Sequence, residues 1–261
     1  MGIVVKPISI VVNTMVARYT WLAFLAAASL TVTACSTTRT TTAPTMPAAD
    51  TPAAMAPTPA PTPVAAPATA RYHVTFQAIW SAGSHPTDFP SSAHFSPLVG
   101  GTHTARVTFW REGVLATAGI RDMAERGLTT RLSEEISAAI AAGTAERVFT
   151  GGNIAISPGT AAADFEISQS HPLVTLVSMI APSPDWFVGV SALSLFEGGQ
   201  WIDERRIELV PWDAGTDSGA TFTSPDLVTA PPAPIAPITA APLSPAGRVT
   251  SLGTFTFTRL P

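Results

Sequence analysis

The sequence predicts an all-β fold, a β-sandwich with two short inserted helices. Several stretches alternate apolar and polar residues with a period of two, which is typical of half-buried strands. Turns rich in glycine and proline separate these stretches, as in sandwiches built from many short strands. Residues 173–180 are nearly all apolar and predict a central strand covered on both sides. Residues 71–261 are long enough for one domain with its own core.

The elements follow in chain order. Alternating strands are expected at residues 72–80, 105–109, 207–209 and 254–258. The first helix is expected at 117–126, where Ile120 and Met123 share one face and Gly127 ends it. The second is expected at 133–142, with Ile136 and Ile140 on its apolar face and Gly143 as its stop. The Pro/Ala-rich residues 230–245 are expected to form a long surface loop before the last strand.

The N-terminal region predicts export. The first 34 residues contain Lys6 and Arg18, no acidic residue and an apolar run at 21–30, which is typical of a signal peptide and too short to span a membrane comfortably. The residues before Cys35 are Val-Thr-Ala and resemble the lipobox of bacterial lipoproteins, so Cys35, the single cysteine, is expected to be lipidated. Ser36 then suggests, by the same resemblance, sorting to an outer membrane or the cell surface. An ordinary signal peptide with an incidental cysteine is the alternative, and Met15 is a second possible start.

Residues 36–70 are mostly Thr, Ala and Pro, with little apolar surface to bury, and are expected to form a disordered tether. The expected organisation is therefore a signal peptide at 1–34, a lipidated cysteine and tether at 35–70, and a domain at 71–261. The chain has 14 Lys+Arg and 18 Asp+Glu; without Lys6 and Arg18 the counts are 12 and 18, a net charge near −6. With no basic cluster, nucleic acid is not an expected partner.

Two Gly/Pro-rich loops concentrate acidic residues. Asp185 lies in Ser-Pro-Asp-Trp, and Asp213 and Asp217 lie four residues apart in Pro-Trp-Asp-Ala-Gly-Thr-Asp-Ser-Gly. Crowded carboxylates repel one another unless a cation lies between them, and Ca²⁺ prefers such oxygen ligands. Glu166 is a fourth candidate, because strand ends of a sandwich meet at a rim. The alternative is that Asp213 and Asp217 are turn residues whose side chains accept nearby backbone N–H groups.

Several longer motifs resemble the spondin domain, a module of the matrix proteins F-spondin and mindin. They occur in family order over about residues 71–258: Tyr72-His73-Val74-Thr75-Phe76, His85-Pro86-Thr87-Asp88-Phe89-Pro90, His94-Phe95-Ser96-Pro97-Leu98, Trp110-Arg111-Glu112-Gly113, Leu176-Val177-Ser178-Met179, and the runs 183–190, 211–219 and 221–225.

The resemblance implies a sandwich similar to C2 domains with inserted helices. It also implies a cation bound by acidic residues at Asp185, Asp213 and Asp217, with Glu166 as a fourth candidate ligand. Animal spondin domains carry disulfides, whereas residues 71–261 contain no cysteine.

No catalytic motif is expected to act in this chain. Thr216-Asp217-Ser218-Gly219 is similar to the nucleophile loop of trypsin-like proteases, but Thr216 replaces the glycine that the oxyanion hole requires. The sequence therefore predicts a non-enzymatic, lipid-anchored, Ca²⁺-binding domain that presents a surface for adhesion to an unknown protein or glycan. The alternatives are a metal-dependent hydrolase using the same acidic site and a C2-like lipid-surface module, against which the missing basic patch and the expected anchor both count.

Overall fold

The structure is a computed structural model that describes residues 65–244 and 247–261. The expected signal peptide, the expected lipidation site Cys35 and most of the expected tether lie outside the described residues. No helix within the described part is long and apolar enough to cross a membrane.

The described residues form thirteen strands and two helices. In chain order they are β1 (Thr69–Ala78), β2 (His94–Phe95), β3 (Val99–His103), α1 (Ala118–Arg126), α2 (Thr130–Ala141), β4 (Ala145–Thr150), β5 (Gly159–Ser168), β6 (Leu173–Ala181), β7 (Trp186–Ser194), β8 (Phe196–Glu197), β9 (Gln200–Trp201), β10 (Glu204–Leu209), β11 (Trp212–Asp213), β12 (Ala236–Pro237) and β13 (Gly253–Arg259).

Two antiparallel sheets form the sandwich, as the sequence predicts. The four-stranded sheet has the order β10-β13-β1-β5. The seven-stranded sheet has the order β12-β11-β7-β6-β3-β4, with β2 paired to β6, and β8 and β9 form a separate hairpin. The expected central strand at 173–180 is confirmed, because β6 has β3 and β7 as neighbours and is buried from Val174 to its end.

The main core lies between the two sheets and follows the alternation read from the sequence. Tyr72, Val74 and Phe76 of β1 point inward and are fully buried, whereas His73 and Thr75 between them are partly exposed. Phe255 and Phe257 of β13 face the same core, and Phe76 packs edge-to-face on Phe255 at 5.1 Å. This period-two burial fixes the register of β1, because a shift by one residue would expose the whole apolar set.

Both predicted helices are present, and they pack on the other face of the seven-stranded sheet. Their apolar residues Ile120, Met123, Leu132 and Ile136 form a second core with Val177 of β6. Thr117 caps α1 by accepting the N–H of Ile120 at 3.1 Å, and Gly127 ends it in a left-handed conformation. The second helix begins three residues before the predicted start, at Thr130.

Three sequence expectations differ from the structure. Residues 105–109 are not a strand: the chain turns after β3, and Thr104 Oγ1 accepts the backbone N–H of Arg106. The domain begins before residue 71, because β1 starts at Thr69 and the carbonyl of Pro67 accepts the Trp201 indole N–H at 2.8 Å. The stretch 230–245 is more than a surface loop, since it contributes β12 and buries Ile235 against the helices.

Candidate cation site

Two loops carry the acidic motifs, and the fold brings them together at one end of the sandwich. The β6–β7 turn holds Asp185, and the long connection from β11 to β12 holds Asp217. Pairing of β11 with β7 places Asp213 opposite Trp186. Phe222 of the long loop contacts both Trp186 and Trp80, each with ring centroids 5.4 Å apart. Trp80 lies two residues beyond the end of β1, so this end, the acidic end, is where β1 and β6 finish.

Asp185 is the most buried of the acidic residues, with no exposed surface. Its Oδ2 accepts the backbone N–H groups of Thr216 at 2.7 Å and Asp217 at 3.1 Å, and the Thr216 hydroxyl at 3.2 Å. Its Oδ1 is buried and has no hydrogen-bond partner within the described residues. Burial, with the nearby charge of Asp213, raises the pKa of Asp185 to about 6 despite the hydrogen bonds from Thr216 and Asp217.

Asp213 is the second carboxylate and is partly buried on β11. Its Oδ1 accepts the N–H of Gly215 at 2.7 Å, and its carboxylate also receives a hydrogen bond from the Trp186 side chain. Burial raises its pKa, the two hydrogen bonds oppose that rise, and the charge of Asp217 adds to it. The charge of Asp217 thus raises the pKa of Asp213, and the charge of Asp213 raises the pKa of Asp185.

Gly215 shapes the loop between the two aspartates. It has φ of +74°, and a Cβ at this position would lie 2.1 Å from the carbonyl oxygen of Ala233. Any side chain would therefore be strained twice, by the backbone conformation and by the contact. The close approach of the two strands of the loop brings Asp213 and Asp217 to the same side of the turn.

Asp217 is buried and serves the backbone of its own loop. Its Oδ1 accepts the N–H of Gly219 at 2.7 Å, and its Oδ2 accepts the N–H of Leu227 at 2.9 Å. The bond from Gly219 is the kind that the turn-residue alternative expects of Asp217, and Asp213 accepts a similar bond from Gly215, whereas the bond from Leu227 reaches across the loop. Each carboxylate oxygen carries a second lone pair, so these bonds leave acceptor capacity at both residues.

Glu166 does not join the other three acidic residues. It lies on β5 opposite Arg71, near the end of the sandwich where β1 begins, and forms an ion pair with Arg147 at 2.8 Å. The expectation that it shares a rim with Asp185 is wrong for a simple reason of direction. The short connection from β5 to β6 joins the strands at the opposite end, and β6 then runs the length of the sandwich before it reaches Asp185.

The donor atoms of the cluster are carboxylate oxygens, which suit a hard cation, but the side chains are not arranged around one point. No group of three or more His, Cys, Asp or Glu side chains in the described residues is arranged to hold a metal ion. However, none of the ion pairs among these residues involves Asp185, Asp213 or Asp217. The partnerless, buried Oδ1 of Asp185 is a carboxylate oxygen available for a ligand. The donor set therefore fits an oxygen-liganded cation at Asp185 and Asp213, with Asp217 beside them.

Sequence reasoning missed the backbone partners of the cluster. Thr216 supplies two hydrogen bonds to Asp185, and Leu227 supplies one to Asp217 across ten residues. The Thr-Asp pair after a glycine is a common turn sequence and carries no signal for the first contact. The second depends on how the long loop folds back, which no local pattern encodes.

The described domain is similar in sequence to known proteins. The sequence profile of the Spondin_N family matches residues 70–248. Human Spondin-2 is 39% identical over 178 residues, which are 67% of this chain and 54% of that protein. Rat Spondin-2 is 40% identical over 176 residues, covering 66% and 53%. Mouse Spondin-1 is 36% identical over 181 residues, covering 66% of this chain and 22% of that protein.

The chain therefore aligns with about half the length of Spondin-2 and a smaller part of Spondin-1. The matched region contains the seven-stranded sheet, the two helices and all three clustered aspartates, and it stops before β13 of the four-stranded sheet. Because the family profile covers more than half of the sequence and agrees with the fold, this chain belongs to the spondin N-terminal domain family.

Proposed function

We propose that this protein is an exported, lipid-anchored adhesion domain that binds Ca²⁺ through Asp185, Asp213 and Asp217. The observation that carries the proposal is the buried Oδ1 of Asp185, which has no partner among the described residues although the carboxylate of Asp213 lies near Asp185 and that of Asp217 lies near Asp213. A buried carboxylate without a counter-charge is costly, and a bound cation would supply that charge.

The donor types favour Ca²⁺ over softer metals. Carboxylate oxygens dominate the cluster, and the Gly/Pro-rich loops add backbone carbonyls, which Ca²⁺ accepts in sets of about six to eight at flexible geometry. Asp185 and Asp213 would be the direct ligands. Asp217, whose two oxygens already accept backbone N–H groups, would contribute through its remaining lone pairs or through water. Glu166 is not part of this proposal because of its ion pair with Arg147.

The loops around the cluster provide a surface for a partner. Leu227 and Val228 follow Asp226 in the long loop and are 60% and 79% exposed. The backbone N–H of Leu227 donates to Asp217, so a cation that binds Asp217 would also affect the position of these apolar side chains. An unidentified protein or glycan is the proposed partner; the family membership supports a binding role, and the acidic net charge disfavours nucleic acid.

A hydrolytic role for the same cation is not favoured by any particular contact. Ser218, the residue in the position of a protease nucleophile, bonds the hydroxyl of Thr229 at 2.7 Å rather than a base. The export and lipid anchor rest on the sequence around Cys35, which lies outside the described residues.

The cation proposal is tested by thermal unfolding and calorimetric titration of the protein with Ca²⁺ after chelation. Wild type should gain about 2.7 kcal/mol at roughly a hundred times the dissociation constant, because the cation binds only the folded state. Asp213→Asn combined with Asp217→Asn should abolish that gain. Glu166→Gln is the matched control, since it removes an acidic residue outside the cluster, and it should respond to Ca²⁺ as wild type does. No response of wild type to Ca²⁺ would overturn the proposal.

A further inference from the structure

A cavity away from the acidic cluster lies along β7. It has a volume of about 520 Å³, within the range of about 300–1,000 Å³ that binding clefts have. Five consecutive residues of β7, 189–193, line it. Most of the other lining residues come from 105–112 and from 207–212, so the cavity follows the edge of β7 between these two segments. We name this feature the β7 groove.

The edge that faces the groove has no strand beside it. On the side away from β6, β11 pairs with β7 only at Trp186 and Phe187. From Val188 onward the described residues place no strand against that side. The opposite side of the sandwich is closed, since Phe149 of β4 stacks on Phe165 of β5 at 4.5 Å. The sandwich is therefore open along β7 and β10.

An open strand edge presents backbone hydrogen-bonding groups that have no strand partner. Every second residue directs its backbone N–H and C=O away from the neighbouring strand, and the natural partner for such a row is another extended backbone. The groove keeps this edge in a fixed shape: Ser191 Oγ donates to the carbonyl of Trp110, and Thr175 Oγ1 accepts the N–H of Ala192 at 3.1 Å. Ala192 is held at φ of +51°, a conformation that a non-glycine residue adopts only where its surroundings enforce it.

The walls of the groove indicate which side chains would fit. Trp110 and Trp212 pack edge-to-face at 5.3 Å and, with Ile207 of β10, form an apolar wall. Three charged residues line the groove without an ion pair among the described residues: Arg111, Glu112 and Glu208. Their sum is one negative charge, which favours a partner with a basic residue at this position.

We propose that the β7 groove binds an extended peptide segment of another polypeptide as an added strand. The segment pairs its backbone with residues 188–191, the part of this edge before the left-handed Ala192, seats an apolar side chain against Trp212 and Ile207, and directs a basic side chain toward Glu112 and Glu208. The inference deepens the proposed adhesion role by naming the chemistry of the partner, and it is independent of the cation because the groove shares no residue with the three aspartates.

The probe is a displayed library of random twelve-residue peptides, selected on the full chain in the presence of a chelator. Enriched peptides should combine β-branched or aromatic residues with at least one Lys or Arg. A synthetic peptide from the selection is then methylated on alternate backbone amides. Methylation in one of the two registers should abolish binding and methylation in the other should preserve it, because only one set of N–H groups faces β7. Equal tolerance of both registers would overturn strand addition.

Matched variants locate the binding. Glu208→Lys should weaken the selected peptide about tenfold through charge repulsion, whereas Glu204→Lys, on the same strand but outside the groove, should leave affinity unchanged. Thr108→Trp places a large side chain at an exposed wall of the groove and should abolish binding; Thr160→Trp, exposed on the outer face of β5, is its control. Selected peptides insensitive to Glu208→Lys and Thr108→Trp would overturn the proposal, as would a selection that enriches none.

Binding of a second copy of this chain at the same edge would appear as a concentration-dependent dimer that Thr108→Trp abolishes, and it would likewise overturn the heterologous partner. Because every measurement is made in chelator, failure of the cation proposal leaves this outcome unaffected, and a Ca²⁺ response without peptide binding would reject the groove alone.

Discussion

Replacing Asp185 by Asn should change how stability depends on pH. In the folded protein, burial raises the pKa of Asp185 to about 6, from the value of 3.8 that is ordinary for an aspartate side chain. The folded state therefore binds a proton more tightly than the unfolded state, so stability is greatest at low pH and is lost as the pH rises through the folded pKa. At about 1.4 kcal/mol for each pH unit, the ionised form costs about 3 kcal/mol near neutrality.

Asparagine preserves the shape of the site without the charge. Its side-chain oxygen can accept the N–H groups of Thr216 and Asp217, and its amide takes the place of the partnerless Oδ1. The buried amide N–H groups carry their own cost of about 1–3 kcal/mol, so the absolute stability of the variant is less informative than its pH profile. The difference in unfolding free energy between wild type and variant should change by about 2 kcal/mol between pH 4 and pH 7.5.

The assay is thermal unfolding in chelator across that pH range. Two kcal/mol corresponds to about 4–8 °C in Tm for a domain of this size. The Tm of wild type should fall by this amount relative to the Tm of Asp185→Asn as the pH rises. Saturating Ca²⁺ at pH 7.5 should raise the Tm of wild type more than that of Asp185→Asn, because only the wild type keeps the full set of charged ligands. A difference in Tm that stays constant from pH 4 to pH 7.5 would show that Asp185 ionises without cost, and the reasoning from burial would be wrong.

Three further predictions concern other parts of the chain. Gly215→Ala should destabilise the domain by at least about 1 kcal/mol, because the new Cβ meets backbone at a positive φ; unchanged denaturant midpoints would contradict this. A chain beginning at residue 71 should be less stable than one beginning at residue 65 by about 1–3 kcal/mol, since the indole N–H of Trp201 loses its acceptor at Pro67; equal melting would refute it. A fatty-acid analogue should label the wild type but not Cys35→Ser, and equal labelling of both would end the lipidation hypothesis.

Most of the fold could be read from local patterns. The helix α1 was predictable to within a residue because its signals are local: a threonine cap, an apolar face and a terminating glycine. The strands β1 and β13 were predictable because alternating aromatic residues have one physical explanation, burial of one sheet face. The stretch 105–109 alternates in the same way, yet its apolar residues Val107 and Phe109 pack against the helices from a turn. The alternation of apolar and polar residues there reflects burial of the apolar side chains, and the segment does not pair as a strand.

The acidic site was only partly predictable for a related reason. Asp185 and Asp213 are neighbours because β7 pairs with β11, and the two motifs flank those strands closely enough for the sequence to suggest it. The position of Glu166 depended on the direction in which β5 and β6 traverse the sandwich, and motif order along the chain carries no information about direction. The groove along β7 was invisible to the sequence, because it arises from where β11 stops pairing.

The three aspartates have a structural task besides any cation. Together they accept five backbone N–H groups from the loop that follows β11, those of residues 215, 216, 217, 219 and 227. Charged acceptors make stronger hydrogen bonds than neutral ones, so the same charges that repel one another also hold the loop together. A cation would relieve the repulsion while leaving the hydrogen bonds in place, whereas neutralising the residues by mutation relieves it and weakens the bonds. Binding of Ca²⁺ should therefore order this loop, including the exposed Leu227 and Val228, more than any Asp→Asn substitution can. Hydrogen exchange at residues 215–228 tests this: Ca²⁺ should raise the protection of these amides in wild type above that of any Asp→Asn variant, and equal protection would contradict it.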